Sequence, residues 1–569
     1  MRSTSDHPWR FRLLILVFFL VGGSVIARLF FIQIVEGEDY RQESENQNRH
    51  LYNQTFSRGR IFFKDRDGTL ISAATLQAGY NLAINPSRIV SPSDTYDKLK
   101  ELVELNKQDF LTAVKQKDSF YRQLEDHLNE ETAQAIEALK LPGVITVKQQ
   151  FRAYTGGEMA AHVLGFMGYL GDEYAGRYGL ERQYEDVLKR SETPSFSNFL
   201  SSLFWAGGHS LENSEAGKQG NIITTIEPNV QNFLENQLLQ INDEWHPGLA
   251  GGIILDPRTG AVLAMAARPT FNPDESQSDL SLLVNPLVEN VYEMGSITKI
   301  LTVSSGLDAG AVSEDWHFDD TGHLTINNRT ISNYDGRGRG PVGVQEIISQ
   351  SLNTGAVAVM RSLGLDRFKK YFLDFGLAEK TGIDLPGEVG GLLGNLDSGL
   401  EIEYATASFG QGIAVTPIGI TTALSSLANN GVLVRPQVVK KIEYESGQSK
   451  DIPFQNRRRV LKPETVKVMA NILVNTVDNV LANGKAKLAH YTIAAKTGTA
   501  QIPKAGGGYE ESKFLHSFFG YFPASNPRFS VFLYAVEPHG AEYASETLTW
   551  PFINLAKFLL NYYQVPPDR

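Results

Sequence analysis

The sequence predicts an α+β fold. One antiparallel sheet collects strands from the two ends of a long C-terminal region, a helical lobe is inserted between them, and a mixed α/β region and one membrane-spanning helix come first. Three observations predict it. After Asn221, strand-like runs (GGIILD, AVLAMAA) come early and others (YTIAAKTGTAQI, HSFFGYF, FSVFLYAV) come late, with helical spacing between. The 569 residues are too many for one ordinary domain and enough for two or three. Near the N-terminus an uncharged apolar run, Leu13 to Ala27, continues past Arg28 as LFFIQIV.

That run is long enough, through Val35, to cross a hydrocarbon core of about 30 Å, which needs roughly 20 apolar residues. Arg2, Arg10 and Arg12 precede it, and the acidic Glu36, Glu38 and Asp39 follow. The positive-inside bias then predicts a cytoplasmic tail over 1–10, a single-pass anchor over 11–35 in the bacterial inner membrane, and everything later outside. A cleaved signal peptide fits less well, because the apolar stretch is long and no small-x-small site follows it. Arg28 and Gln33 are the polar members of the span. They either snorkel to the outer interface or contact a partner membrane helix.

From 36 to 220 the sequence reads as a separate mixed domain. RIFF (60–63) has strand character, and DRDG at Asp65–Gly68 marks a turn. Apolar spacing in YDKLKELVEL and YRQLEDHLNEETAQAIEALK predicts helices between 96 and 140. A linker-like segment at 192–219 carries an apolar surface (Phe196, Phe199, Leu200, Leu203, Phe204, Trp205) that packs on the body or dips into the membrane interface. From 221 to 569, IITTI leads into the helical PNVQNFLENQLLQI, and GGIILD-PRTG-AVLAMAA reads as a hairpin. Helices follow near Ser296, around 344–376 and around 413–429, and FINLAKFLLNYY closes the chain.

Composition removes several kinds of chemistry. Apolar residues make up 42% and charged residues 21%, which suits packed domains. With 53 Lys plus Arg against 64 Asp plus Glu, the net charge of −11 argues against nucleic acid as a partner. The chain has no cysteine, so disulfides, thiolate metal sites and cysteine nucleophiles drop out. No His-Glu-x-x-His and no Gly-x-Ser-x-Gly occurs, which leaves no zincin and no nucleophile elbow.

What does occur is Ser296-Ile297-Thr298-Lys299, the one Ser-x-x-Lys in the chain. If Ser296 opens a helix, positions i and i+3 share a face and hydroxyl can meet amine. A lysine acting as base needs its pKa brought down from about 10.4 by burial or a neighbouring cation. Alone, the spacing is equally that of a helix cap beside a solvated lysine. Two further motifs follow: Ser351-Leu352-Asn353 at a helix-to-loop break, and Lys-Thr-Gly in two copies. The copy at Lys380–Gly382 lies among turn formers after a helix end and is read as a decoy. The copy at Lys496–Gly498 has strand rhythm, and its glycine is expected to let a ligand approach a strand edge.

In that order the three motifs resemble the signatures of penicillin-binding proteins and serine β-lactamases. The resemblance extends over nearly the whole chain to the class B penicillin-binding proteins, through RGRIFFKDRDGTLIS, AAHVLGFMG, GLERQYEDVL, TTIEPNVQ, LDPRTGAVLAM, SFGQGIAVTP and FFGYFPASNP. NPLVENVYEMGSITK is most similar to the cell-division (septal) branch. Met294 stands where the family usually has proline, and Ile297 where it commonly has threonine.

The resemblance implies a peptidoglycan D,D-transpeptidase with its catalytic domain at 221–569 on an elongated non-catalytic pedestal at 36–220. Ser296 is then the nucleophile, Lys299 its general base, Ser351 a proton relay toward the leaving amine, and Lys496 the source of positive potential. Asn353 would hold the donor amide, Thr497, Gly498 and Thr499 the terminal carboxylate end, and the backbone N–H groups of Ser296 and Thr499 the oxyanion. The implied partners are stem peptides ending in D-Ala-D-Ala, an acceptor amine, β-lactams, a SEDS-type glycan polymerase and other division proteins, with Arg28 and Gln33 as candidate contacts. No metal or organic cofactor is implied. The rivals are an elongation-type transpeptidase, a D,D-carboxypeptidase or β-lactamase, and a non-catalytic sensor or scaffold.

Overall fold

The computed structural model describes residues 16–24, 28, 57–170, 173–190, 218–504 and 506–569. Residues 16–24 are helical with exposed apolar side chains, Phe18 at 78% among them, and Arg28 is exposed. Among the described residues no helix is long and apolar enough to cross a membrane. Gln33 and the 192–217 part of the apolar linker lie outside the described residues.

Contacts divide the chain into two compact units. One includes Gln77–Phe151; the other joins Arg58–Leu76 to Arg152–Arg569. This differs from the expected boundary at 220/221, and strand pairing is the reason. Strand β1 (Ile61–Lys64) pairs antiparallel with the first part of β2 (Leu70–Ile84) and, on its other side, parallel with a strand more than 150 residues later, Ile61 opposite Ile222.

In the first unit, helices α1 (Pro92–Leu99) and α2 (Lys107–Lys115) pack Leu99, Phe110 and Val114 against Leu82 and Ile84 of β2. The helix expected through YRQLEDHL is instead a strand, β3 (Arg122–Leu128), antiparallel to β2. The helical pattern is interrupted at His127, with φ +56°, and at Asn129, whose side chain accepts the Thr132 N–H and caps α3 (Glu130–Ala138). Pairing with β2 overrides local propensity, as it often does for short charged strands. Strand β4 (Val144–Tyr154) leads into the second unit.

The second unit opens with an ionic cluster: Glu181, fully buried, accepts from Arg58 Nε at 2.6 Å and Arg152 Nε at 2.7 Å. Strand β5 (Gly220–Thr224) is the partner of β1 noted above. In helix α4 (Pro228–Trp245) proline takes the first position and the Glu227 side chain accepts the Val230 N–H at 2.7 Å. The expected hairpin is β6 (Leu249–Leu255) and β7 (Val262–Arg268).

A helical lobe follows, made of α5 (Lys299–Asp308), α6 (Val344–Ser349), α7 (Asn353–Leu363), α8 (Leu365–Asp374) and α9 (Pro417–Ala428). Every residue of α9 is buried, as expected of a helix with little polar face. Strand β8 (Gly340–Gly343) runs directly into α6. Farther on, β9 (Val439–Tyr444) adds to β5, and helix α10 (Pro463–Asn479) precedes β10 (Ala494–Pro503), β11 (Tyr509–Phe522), β12 (Phe529–Val536) and the closing α11 (Thr549–Tyr562).

Early and late strands combine as expected, in one antiparallel sheet ordered β10-β11-β12-β6-β7. Both faces are buried, so β11 is apolar at consecutive positions. Phe518 and Phe522 join the core formed with α4 and α11, while Phe519 and Tyr521 join the core shared with the lobe. Burying a side chain of this size is worth about 1.5–3 kcal/mol. Strand β10 is left as an edge, facing the lobe.

Candidate active site

The cleft beside β10 is a cavity of about 1370 Å³ lined by Ser296, Ser351, Asn353, Lys496, Thr497 and Thr499, among others. The backbone brings these residues from three places. Ser296 lies in a single 3₁₀ turn, Gly295–Thr298, and Lys299 is the first residue of α5. Ser351 lies in the break between α6 and α7, Asn353 opens α7, and Lys496 to Thr499 lie on β10.

The polar contacts centre on Ser351. Lys496 Nζ donates to Ser351 Oγ at 3.1 Å and to the Thr497 carbonyl at 2.9 Å. Lys299 Nζ donates to Ser351 O at 2.5 Å and to Ser351 Oγ at 3.2 Å. One hydroxyl is thus shared by two lysines that lie far apart in the chain. Ser351 has φ +56°, a left-handed conformation that a non-glycine residue adopts at some cost in energy.

The expected contact between Ser296 and Lys299 takes a different form. Because Ser296 precedes the α-helix in a tighter turn, no described residue hydrogen-bonds its hydroxyl, and Lys299 turns to Ser351. Ser296 is half-buried at the cavity wall. Lys299 is fully buried, and this burial, then the charge on Lys496, push its ammonium well below the usual lysine range. Burial brings Lys496 down to about 7. Burial thus disfavours the charged form of both amines, and at Lys299 the neighbouring Lys496 charge adds to it.

Gly498 departs from expectation. A Cβ there would lie 2.4 Å from Ser517 Oγ, 2.8 Å from Met294 O and 2.9 Å from Ile297 N. On its Cβ side the glycine faces the turn that carries Ser296, and it lets the strand and that turn touch. Ser517 completes the seat by donating to Met294 O at 2.8 Å. Thr497 and Thr499 do line the cavity, and Thr499 Oγ1 accepts the Ala544 N–H at 3.1 Å. Asn353 Nδ2 donates to Ser332 O at 2.8 Å. The decoy reading of Lys380 fits its position: it is exposed and outside the cavity. Among the described residues no group of three or more His, Asp or Glu could hold a metal ion.

Sequence reasoning missed part of the wall. Gly410 and Gly412 of SFGQGIAVTP both have positive φ, and a Cβ on Gly410 would lie 2.3 Å from Gly295 O. The paired glycines were a usable signal for a tight backbone approach. Tyr509, whose hydroxyl donates to Glu293 at 3.0 Å, carried none.

A serine, a fully buried lysine and a second lysine converging on one hydroxyl at a sheet edge define a serine acyl-transferase of the penicillin-recognising type. Residues 250–554 match the penicillin binding protein transpeptidase domain and residues 54–193 the penicillin-binding protein dimerisation domain. The chain belongs to the class B penicillin-binding protein family, division type. It is 30% identical over 561 residues to stage V sporulation protein D of Bacillus subtilis, covering 95% of this chain and 84% of the relative. It is 26% identical to the peptidoglycan D,D-transpeptidase FtsI of Buchnera aphidicola, covering 99% and 96%. Penicillin binding protein 3 of Mycobacterium tuberculosis in its apo form superposes with TM-score 0.65 at 26% identity, covering 74% of this chain and 92% of that one.

Proposed function

We propose that this protein is a peptidoglycan D,D-transpeptidase of septal cell-wall synthesis and a target of β-lactams. The observation that carries the mechanism is the Ser351 hydroxyl shared by Lys299 and Lys496 in the cavity that Ser296 enters. Lys299, whose ammonium form is disfavoured by burial and by the charge on Lys496, takes as a free amine the proton of Ser296 as its Oγ attacks the carbonyl carbon between the last two D-alanines of a stem peptide. The N–H groups of Ser296 and Thr499 receive the oxyanion, a contribution of about 2.7–4 kcal/mol per donor. The C–N bond breaks, Ser351 relays a proton to the departing nitrogen, and D-alanine leaves. Charged Lys496 keeps the cleft positive. Asn353 holds the donor amide, and Thr497 with Thr499 grips the terminal carboxylate. An amine of a second stem then attacks the ester, releasing Ser296 and forming the cross-link.

Residues 11–35 serve in this reading as a single-pass inner-membrane anchor with the catalytic region outside the cytoplasm, and 36–220 as the pedestal. Arg28 and Gln33 are the contacts offered to a SEDS-type polymerase. The length and charge pattern of the N-terminal run support this reading.

Labelled penicillin tests the acyl-enzyme: covalent label on the wild type and none on Ser296→Ala is expected, and label retained by the variant overturns the assignment. Lipid-linked pentapeptide supplied with a polymerase should give cross-linked dimers; released D-alanine without dimers would show a hydrolase. Depletion in the source cell should give filaments, whereas rounded cells would indicate an elongation role.

A further inference from the structure

Asp320 closes the strand His317–Asp320, which pairs with β8, and is only 2% exposed. Its carboxylate accepts hydrogen bonds from the Gly322 N–H at 2.9 Å, the Arg339 N–H at 3.1 Å, Asn333 Nδ2 at 3.1 and 3.0 Å, and Thr354 Oγ1 at 2.7 Å. All these donors are neutral; the Arg339 guanidinium is turned instead to Asp335 and Gln350. A buried carboxylate so fully satisfied is a fixed post, and losing any one donor or the acceptor leaves a buried group unpaired.

What the post holds is the start of α7. Its N-cap residue is Leu352, which has no side-chain acceptor to offer the first turn. Asn333 Oδ1 takes the Thr354 N–H at 3.3 Å instead, and Asp320 takes the Thr354 hydroxyl, placing negative charge where a helix N-terminus favours it. Thr354 is 2% exposed and Asn333 3%. One residue before Leu352 stands Ser351, in its left-handed conformation with both lysines on its hydroxyl.

We propose that Asp320 is a positioning residue of the active site: through Thr354 it fixes the first turn of α7, and so keeps the Ser351 hydroxyl between Lys299 and Lys496. The proposal rests on the acyl-enzyme reading above and adds a residue that no signature motif contains. Asp320 touches no substrate; its effect passes through Ser351.

The test is the acylation rate of the full-length protein in detergent with labelled penicillin. Asp320→Asn puts an N–H against N–H donors and should slow acylation about tenfold to a hundredfold, the scale of a small misplacement in a site. Thr354→Val keeps shape and removes only the hydroxyl, so it covers the case in which Asp320→Asn fails to fold. It should slow acylation several-fold, and Thr354→Ser should restore the rate to within about twofold. In a Ser351→Ala background, measured at higher penicillin concentration, Thr354→Val should cost nothing further, because its effect runs through the missing hydroxyl. Wild-type rate in Thr354→Val, or an equal loss in both backgrounds, overturns the proposal and leaves a purely structural network. A wild-type protein that takes up no label overturns the acyl-enzyme reading itself, and this proposal with it.

Discussion

The tripeptide Lys-Thr-Gly occurs twice, and its two copies do opposite things. At 496–498 it lies on an edge strand: the lysine is 4% exposed and reaches Ser351, and the glycine admits the nucleophile turn. At 380–382 it lies in a loop, with Lys380 in solvent. There the threonine is the buried member, its N–H and hydroxyl both held by Glu388 at 2.6 and 2.5 Å, and the glycine has φ +81°. The same three residues make a reactive edge in one place and a closed turn in the other. Side-chain chemistry becomes function only where the backbone gives it an unpaired edge and a buried partner.

The largest expected effect separates the lysines. Lys496→Ala should cut penicillin acylation by about 10²–10⁴-fold, the range of a lost acid–base group, while Lys380→Ala stays within about twofold. Comparable losses at both would erase the distinction. Next come the glycines. Gly498→Ala drives a methyl into Ser517, Met294 O and Ile297 N, so it should abolish acylation or folding. Gly382→Ala finds ordinary contacts, the nearest atom being Arg435 Nε at 3.5 Å, and should cost only about 1 kcal/mol for its left-handed φ, read as a lower melting temperature.

The threonines sharpen the contrast in the other direction. Thr381→Val leaves part of the buried Glu388 carboxylate unpaired and should destabilise by about 1–3 kcal/mol in thermal denaturation, with the acylation rate unchanged below the transition. A further contrast is one of pH. Lys496 has its pKa lowered from 10.5 to about 7, so the unfolded chain binds more protons there between those values and folding stability contributed by this group rises with pH across that window. Over the same window acylation should fall as Lys496 loses its charge. Lys496→Met should remove both dependences and raise the melting temperature at pH 7 by a few degrees; an unchanged pH profile of stability in that variant would contradict the burial argument.

The architecture was largely legible in the sequence because the strands at 249–268 and 494–536 carry strong β-branched and aromatic runs bounded by turns. The order of Ser296, Ser351 and Lys496 gave the composition of the site but not its wiring. Nothing local told that Lys299 would turn from Ser296 to Ser351, since that depends on a 3₁₀ turn and on a left-handed serine set by distant packing. The strand at 122–128 was misread as helix for a similar reason: its partner residues lie 38 to 48 positions earlier. Asp320 was silent, being one acid among many until the fold buries it beside Thr354.

The seat under Ser296 is made mostly of main-chain atoms. Gly295 faces Thr499 O, Gly410 faces Gly295 O and Gly498 faces Met294 O, each with room for a hydrogen and nothing larger. Under antibiotic selection, replacements at these positions are therefore expected to jam the enzyme before they discriminate against the drug. Resistance arising within this chain is expected to accumulate instead at exposed cavity-lining side chains such as Tyr334 and Lys504, which can be exchanged without touching this seat.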